Sequence, residues 1–434
     1  MILSILTFII TIFIMILMII LKPNIKINNF SIQTFWIVTL LGALVVIFTN
    51  QIDLSSLWSN LTNGKMNPIK ILILFISLSM LSISLDELNF FNYLSSIALI
   101  KSKGNQYKIF FTIYFLVAIL TIFTSNDIVI LTFTPFIILF SKKAKINPLS
   151  YLICEFVNAN TYSMLLSIGN PTNIYLSSSQ DISFIYYLSK MYLPTILAGL
   201  STLIVILLIF KKDLNKKIEN IEIEKVKLKN KPLVIINLII LGLTTLMLII
   251  SNYISLEMWL ICLISLLILT FILLIYSLKN KDKTYLFNTY KRLPYNLIPF
   301  ILSMFILVLS LKENNVISYL QNFLDLLSIN KIAEGFTYTI SSTIFDNIIN
   351  NIPMSILYSS ILENKSELAI FSTIIGSNIG AYLTPIGALA GIMWMSILKK
   401  YDLNFNFLSF LKYGIILVPV SLLFSTLGIL ITCN

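Results

Sequence analysis

The chain has 434 residues, 57% hydrophobic and 11% charged, with a mean hydropathy of +0.92. Soluble domains run at about 45–50% apolar and about 25% charged, so this composition is that of a multi-pass membrane protein. The absence of histidine removes the commonest general base and transition-metal ligand, and Cys154, Cys262 and Cys433 are too scattered for a disulfide framework or thiolate cluster.

In chain order, the apolar runs are continuous rather than alternating, so the spans are helices and not barrel strands. The first run, Ile2 to Leu21, lacks a basic n-region and a small-residue cleavage site and is expected to be a retained span. Further spans are drawn at 31–49, 69–85, 150–178, 191–210, 233–251, 257–278, 293–311, 368–398 and 412–432. Two more apolar segments, 107–140 and 332–362, each carry a polar knot: Thr124-Ser125-Asn126-Asp127 in the first, Asp346-Asn347-Ile348-Ile349-Asn350-Asn351 in the second. Unpaired polar groups cost several kcal/mol in lipid, so the knots need a function. Their arms look short for a ~30 Å core, and each segment is expected to be a re-entrant helical hairpin.

Loop charge sets the expected orientation. Lys101, Lys103 and Lys108 precede the first hairpin and Lys142, Lys143 and Lys145 follow it; the other basic loops are 22–26, 211–231, 279–292 and 399–412. A path starting with an external N-terminus, with both hairpins re-entrant, puts 24 of the 30 Lys and Arg residues inside. The net charge of +11 is therefore a topology signal, and nucleic acid is not an expected partner. Glu219, Glu222 and Glu224 among the lysines of 211–231 mark a solvated linker.

The halves on either side of that linker resemble each other. Ser84-Leu85-Asp86-Glu87 recurs as Ser310-Leu311-Lys312-Glu313, Asn126 falls on Asn351, and Asn160 with Ile168-Gly169 falls on Asn378 with Ile386-Gly387. The offsets of 226, 225 and 218 are nearly constant. With 69–85 running inward and 293–311 outward, the repeats are inverted, an architecture of secondary transporters whose sites lie at interrupted helices near the midplane. The expected organisation is scaffold helices in 1–60; repeat one in 61–210, with hairpin 107–140 and broken helix 150–178; a cytoplasmic loop at 211–232; connecting scaffold helices in 233–292; and repeat two in 293–434, with hairpin 332–362 and broken helix 368–398. The fold class is all-α, with about ten transmembrane helices plus the two hairpins.

The candidate substrate- or ion-binding residues lie at the four interruptions. They are Ser125, Asn126 and Asp127; Asn160, Thr161, Gly169, Asn170, Thr172 and Asn173; Asp346, Asn347, Asn350 and Asn351; and Asn378 and Thr384. Pro171, Pro353 and Pro385 and the neighbouring glycines free backbone groups there, and Asn and Thr side chains can satisfy some and offer the rest to a ligand. The plainer alternative is that these side chains join helices. Asp127, Glu155 and Asp346 are the proton-coupling candidates, because intramembrane carboxylates mark ion or proton pathways; Glu155 lies near a cytoplasmic end, where it could face the interface. No Lys or Arg is expected near the site, since Arg292 precedes a span, and Asp86 and Glu87 are expected at the interface.

These motifs resemble the ion transporter superfamily, and most closely its arsenite/antimonite permease branch, ArsB-like and grouped with the NhaD sodium/proton antiporters. The resemblance rests on Thr124-Ser125-Asn126-Asp127 with Thr132-Phe133-Thr134-Pro135-Phe136, Asn158-Ala159-Asn160-Thr161, and Ile168-Gly169-Asn170-Pro171-Thr172-Asn173. In the second half it rests on Asn350-Asn351-Ile352-Pro353, Gly376-Ser377-Asn378-Ile379-Gly380, Thr384-Pro385-Ile386-Gly387, Trp394 and Phe410-Leu411-Lys412. It implies inverted repeats moving in an elevator-like way and, as first expectation, proton-coupled efflux of arsenite or antimonite across the cell (plasma or inner) membrane. The related dicarboxylate carriers have Ser-Asn-Thr at their hairpin tips; Asp127 stands in place of that Thr, which disfavours a di-anion. A Na+/H+ antiporter and an anion (carboxylate or oxyanion) carrier are the alternatives within the class, and a passive channel or a membrane subunit served by a soluble ATPase is the alternative outside it. The chain has no Walker-type loop and no soluble-enzyme constellation. No cofactor is expected beyond H+ or Na+ as coupling ion; the expected partners are the bilayer and a small inorganic or organic substrate, with a homodimer left open.

Overall fold

The computed structural model describes residues 1–22, 24–27, 30–62, 67–101, 105–216, 218, 226–251 and 253–433. Lys103 of the first hairpin's flank and Glu219, Glu222 and Glu224 of the linker lie outside the described residues. The chain folds as an all-α membrane protein, with one small antiparallel ribbon, Asn24–Ile27 with Phe30–Gln33, joining its first two spans.

Seven helices among the described residues are long and apolar enough to cross a bilayer: Ile2–Leu21, Pro68–Glu87, Gln106–Phe123, Phe184–Leu214, Lys231–Ile250, Met258–Asn280 and Phe407–Thr432. Leu297–Glu313 and Val316–Leu327 together make an eighth apolar stretch, bent by 79° between the two helices. Many of the chain's Asn and Ser residues start these helices. Asn67, Asn105, Ser183, Asn230, Asn330, Ser366 and Asn406 each accept a hydrogen bond from a first-turn amide that the helix leaves unpaired.

One order of elements runs twice. Pro68–Glu87, Phe90–Lys101, the hairpin Gln106–Phe123 with Asn126–Ala144, a span interrupted between Leu149–Tyr162 and Pro171–Ser179, and Phe184–Leu214 form the first series. Leu297–Glu313, Val316–Leu327, the hairpin Lys331–Ile349 with Asn351–Ile361, a span interrupted between Glu367–Ile379 and Leu389–Lys400, and Phe407–Thr432 form the second. Phe184–Leu214 packs against Phe407–Thr432, where Gly428 sits so close to Pro194 that an added Cβ would lie 2.9 Å from its backbone. Ile2–Leu21, Thr34–Phe48 and Leu297–Glu313 pack together as one flank, and Met258–Asn280 lies on Pro68–Glu87.

Contacts sort the loops into two faces. On one, Gln106 Nε2 donates to the Lys216 carbonyl at 2.8 Å, Asn147 reaches Asp213, Lys142 Nζ donates to the Tyr401 carbonyl at 2.9 Å, and Arg292 pairs with Asp86 and Glu87. On the other, the N-terminal ammonium donates to Asn314 Oδ1, Lys312 pairs with Glu363, Lys365 with Asp325, and Gln180 Nε2 donates to the Ser359 carbonyl. The first hairpin is based on the former face and the second on the latter.

The arms of the first hairpin are longer than the sequence suggested, 18 and 19 residues, or about 27 and 28 Å at 1.5 Å per residue. Its tip nevertheless ends part-way through the fold: Asn126 bonds Asn160, the twelfth residue of Leu149–Tyr162 and about 17 Å from that helix's start. The return arm of the second hairpin, Asn351–Ile361, has only 11 residues, about 16 Å, and is too short to cross a ~30 Å core.

Candidate functional site

The two broken spans meet at Asn378. Its Oδ1 accepts from Ser163 Oγ at 2.9 Å and from Asn170 Nδ2 at 3.1 Å, and its Nδ2 donates to Asn173 Oδ1 at 2.6 Å. Thr172 and Ser377 hydroxyls lie 3.3 Å apart beside it, and Thr161 Oγ1 lies 3.5 Å from the Tyr382 hydroxyl, which itself donates to Ser421. All of these side chains are buried. Asn170 also caps Pro171–Ser179, accepting from the Thr172 amide, and Asn173 Nδ2 donates to the Ser163 carbonyl at 2.9 Å. Gly169 is required where it stands, because a Cβ there would lie 2.2 Å from the Ser163 carbonyl oxygen. Asn170, Asn173 and Asn378 thus spend their capacity on one another: the residues expected to offer groups to a ligand join the two breaks instead.

The second hairpin's tip is also tied to the broken span it faces. Asn347 Oδ1 accepts from the Thr384 amide at 3.0 Å and hydroxyl at 2.7 Å, while its Nδ2 donates to the Gly380 carbonyl at 3.0 Å. Asn350 Nδ2 donates to the Ile386 carbonyl at 2.8 Å, and the Asn351 amide to the Gly387 carbonyl at 3.0 Å. These bonds hold Asn350 at φ 75°, ψ 154°, a region that is almost reserved for glycine and costs a side-chain-bearing residue about 1–3 kcal/mol.

Polar capacity left over is concentrated elsewhere. At the first tip Asn126 Nδ2 donates to Asn160 Oδ1 at 3.0 Å, but Asn126 Oδ1 and Ser125 Oγ are buried without a protein partner. Asp127, in the first turn of Asn126–Ala144, is half-buried. Asp346, one turn before the second tip, is fully buried, and neither carboxyl oxygen has a hydrogen-bond partner. It lies against Gly380, whose added Cβ would come within 2.8 Å of Asp346 Oδ2.

A cavity of about 460 Å³ reaches the first tip. Ser125 and Asp127 form part of its wall; Phe75, Leu297 and Met393 are among its apolar contributors. It runs between the hairpin and the flank built on Ile2–Leu21, Thr34–Phe48 and Leu297–Glu313, on the face that carries Arg292.

Two sequence expectations need correction here. Arg292 does line the cavity that Asp127 lines, because the turn before Leu297–Glu313 folds back onto the end of Pro68–Glu87. Asp86 and Glu87, expected at the interface, close Pro68–Glu87 and are nearly buried partners of that guanidinium, at 2.6 and 2.7 Å. Glu155 does not face the interface: it is fully buried, accepting from Thr134 Oγ1 at 3.0 Å and Trp394 Nε1 at 3.3 Å, and so ties the first hairpin to the second broken span. Ser163 and Tyr382 carried no expectation from the sequence, and Ser377 stood in the Gly376-Ser377-Asn378-Ile379-Gly380 motif without being a candidate binding residue. Ser163 and Ser377 sit within a few residues of Asn160 and Asn378, and that adjacency was the available signal.

Two crossed, interrupted spans faced by two hairpins that are based on opposite faces, with a cavity reaching one tip, are the framework of a membrane transporter. The chain belongs to the citrate transporter family: the family model described as CitMHS, citrate transporter, matches residues 2–374. Among curated relatives, it is 23% identical to the putative arsenical pump membrane protein of Bacillus subtilis, over 88% of this chain and 91% of that one. It is 25% identical to an arsenical pump membrane protein of Escherichia coli, over 91% and 92% of the two chains. The solved structure of the Alcanivorax borkumensis YdaH transporter superposes with a TM-score of 0.59 over 99% of this chain and 97% of that one, at 9% identity, and shares the fold. The ArsB-like resemblance read from the motifs agrees with these relatives, and the chain is a multi-pass secondary transporter.

Proposed function

We propose that this transporter exports arsenite or antimonite from the cell in exchange for protons, with its N-terminus outside. The observation that carries the reading is the cavity ending at Ser125 and Asp127, beside the unpaired Oδ1 of Asn126. A neutral trihydroxide needs hydroxyl and amide partners and no basic side chain, and this end of the cavity offers that chemistry. Arsenical pumps among the relatives support the same cargo. Asp127 is the group through which cargo and proton compete, and Asp346, a buried carboxyl whose two oxygens have no hydrogen-bond partner, is the second candidate for proton exchange.

Inverted-membrane vesicles test this reading: an imposed pH gradient drives arsenite uptake in wild type, and Asp127→Asn abolishes it. Uptake that ignores the gradient would sink the proton coupling, and no metalloid uptake at all would sink the cargo. One observation favours a second reading, Na+/H+ exchange: both oxygens of Asp346 are free beside the broken backbone of the second span, a setting of hard oxygen donors. Sodium-driven proton flux lost in Asp346→Asn, without metalloid transport, selects it.

A further inference from the structure

We infer that Arg292 in the cavity wall, with Asp86 and Glu87 paired to it outside the lining, forms a charge filter that rejects anions and passes neutral and cationic solutes. This inference rests on reading the cavity as the route by which solute reaches the first hairpin tip. Arg292 is the one cation lining the cavity among the described residues, and it would make the route attractive to anions if its charge were free. It is not free. Its Nη2 lies 2.6 Å from Asp86 Oδ2 and its Nη1 lies 2.7 Å from Glu87 Oε1. The two carboxylate side chains are 10% and 12% exposed, against 38% for the arginine, so they are held against the guanidinium by the fold and not by chance encounter at the surface. Two carboxylates against one guanidinium sum to −1, and the exposed cation is over-compensated from behind.

The surroundings sharpen the consequence. Lys399 and Lys400 follow the cavity-lining Ile397, Lys291 precedes Arg292, Lys229 donates its amide to the Leu88 carbonyl beside Glu87, and all four are exposed. These lysines attract anions toward that face, but mobile ions screen exposed charges over about 8–10 Å. Inside a cleft with apolar walls the local charge dominates, and such clefts change ion concentrations by about 10- to 1,000-fold. The other polar pair on the wall, Asn296 Nδ2 donating to Gln33 Oε1 at 3.0 Å, is neutral and satisfied. The filter therefore selects by charge before a solute meets Ser125 and Asp127.

The test uses a cysteine reporter on the wall, so that its result does not depend on what is transported. Ser396, which lines the cavity, is exchanged as Ser396→Cys in a Cys433→Ser background; Cys154 and Cys262 are buried. Modification rates by a cationic (trimethylammonium) and an anionic (sulfonate) methanethiosulfonate reagent are each divided by the rate with a free thiol in solution. The expected cation-to-anion ratio is about tenfold above unity. Adding Asp86→Asn with Glu87→Gln unmasks the guanidinium and lowers the ratio by about tenfold or more, whereas Arg292→Gln raises it. If the double variant does not fold, Arg292→Gln decides alone, and a ratio that fails to rise overturns the filter. A ratio below unity without these changes, or shifts of the same sign in both variants, also overturns it. Loss of arsenite transport with the ratios as expected would instead count against the cargo and leave the filter standing.

Discussion

Replacing Asn378 with alanine removes the group on which both broken spans meet. Three cross-span contacts disappear, at 2.9, 3.1 and 2.6 Å, but their loss is not equal. Ser163 Oγ has one proton, and with Asn378 gone it still donates to the Asn160 carbonyl at 2.8 Å. Asn170 Nδ2 and Asn173 Oδ1 have no such alternative in a site where every neighbour is buried, and each is left unpaired. An orphaned buried group costs about 1–3 kcal/mol, and hydrogen bonds between membrane helices are worth about 0.6–2 kcal/mol, so Asn378→Ala should lose about 2–4 kcal/mol. Thermal unfolding of the detergent-solubilised protein would read this as a lowered midpoint, with Thr172→Val as a control that removes only the long 3.3 Å hydroxyl contact. The reasoning fails if Asn378→Ala unfolds within about 0.5 kcal/mol of wild type while Thr172→Val is equally silent, because the crossing would then not be held by these side chains.

Other substitutions probe the remaining ties. Asn350→Gly relieves the backbone strain at φ 75° while losing the bond to Ile386, whereas Asn350→Ala keeps the strain and loses the bond, so alanine should be less stable than glycine by about 1–3 kcal/mol in the same unfolding assay. Gly169→Ala drives a Cβ to 2.2 Å from the Ser163 carbonyl; it should abolish folded protein on size-exclusion chromatography, and a well-folded Gly169→Ala would contradict the close approach. Glu155→Leu orphans the Thr134 hydroxyl and the Trp394 indole N–H and should lower stability by about 2–4 kcal/mol, read by thermal unfolding together with a shift in tryptophan emission. At the start of the helix Leu54–Thr62, the Ser55 hydroxyl and then the Ser55 and Ser56 amides donate to the Asp53 carboxyl and hold it below its ordinary 3.8. Its contribution to that helix is complete above pH 3.8 and is lost as pH falls through the lower folded value, so amide exchange at Ser55 and Ser56 should quicken only in strong acid.

Much of the architecture was legible because lipid leaves few choices. Continuous apolar runs had to be helices, and the polar knots at 124–127 and 346–351 had to be explained by something other than burial in hydrocarbon. The charge-drawn loops fall on two faces in the fold as they did in the sequence, since Lys142 reaches Tyr401 and Gln106 reaches Lys216 on one, and Lys312 reaches Glu363 on the other. Lengths were read less well: the first hairpin's arms looked short because Asp127 and the lysines at 142–145 interrupt the hydropathy, although the helix itself continues from Asn126 to Ala144. A hydropathy run measures what lipid tolerates, whereas helix length is set by backbone hydrogen bonding and its caps.

By itself, then, the sequence determined a membrane-spanning helical transporter with paired interruptions, because composition, periodicity and loop charge are local quantities that one chain displays without being folded. Which interruptions keep free polar capacity was decided only in three dimensions. Asn126, Asn170, Asn173 and Asn378 are the same residue type in similar settings, yet only Asn126 keeps an oxygen unpaired, because the other three find one another across the crossing of two spans more than 200 residues apart. Arg292 shows the same thing for charge: the chain's single arginine lies far along the sequence from Asp127, and only the packing of its turn on the end of Pro68–Glu87 puts it in the same cavity wall with its charge already answered. Hydrogen-bond satisfaction and charge neutralisation depend on partners, and partners distant in sequence are set by the tertiary fold.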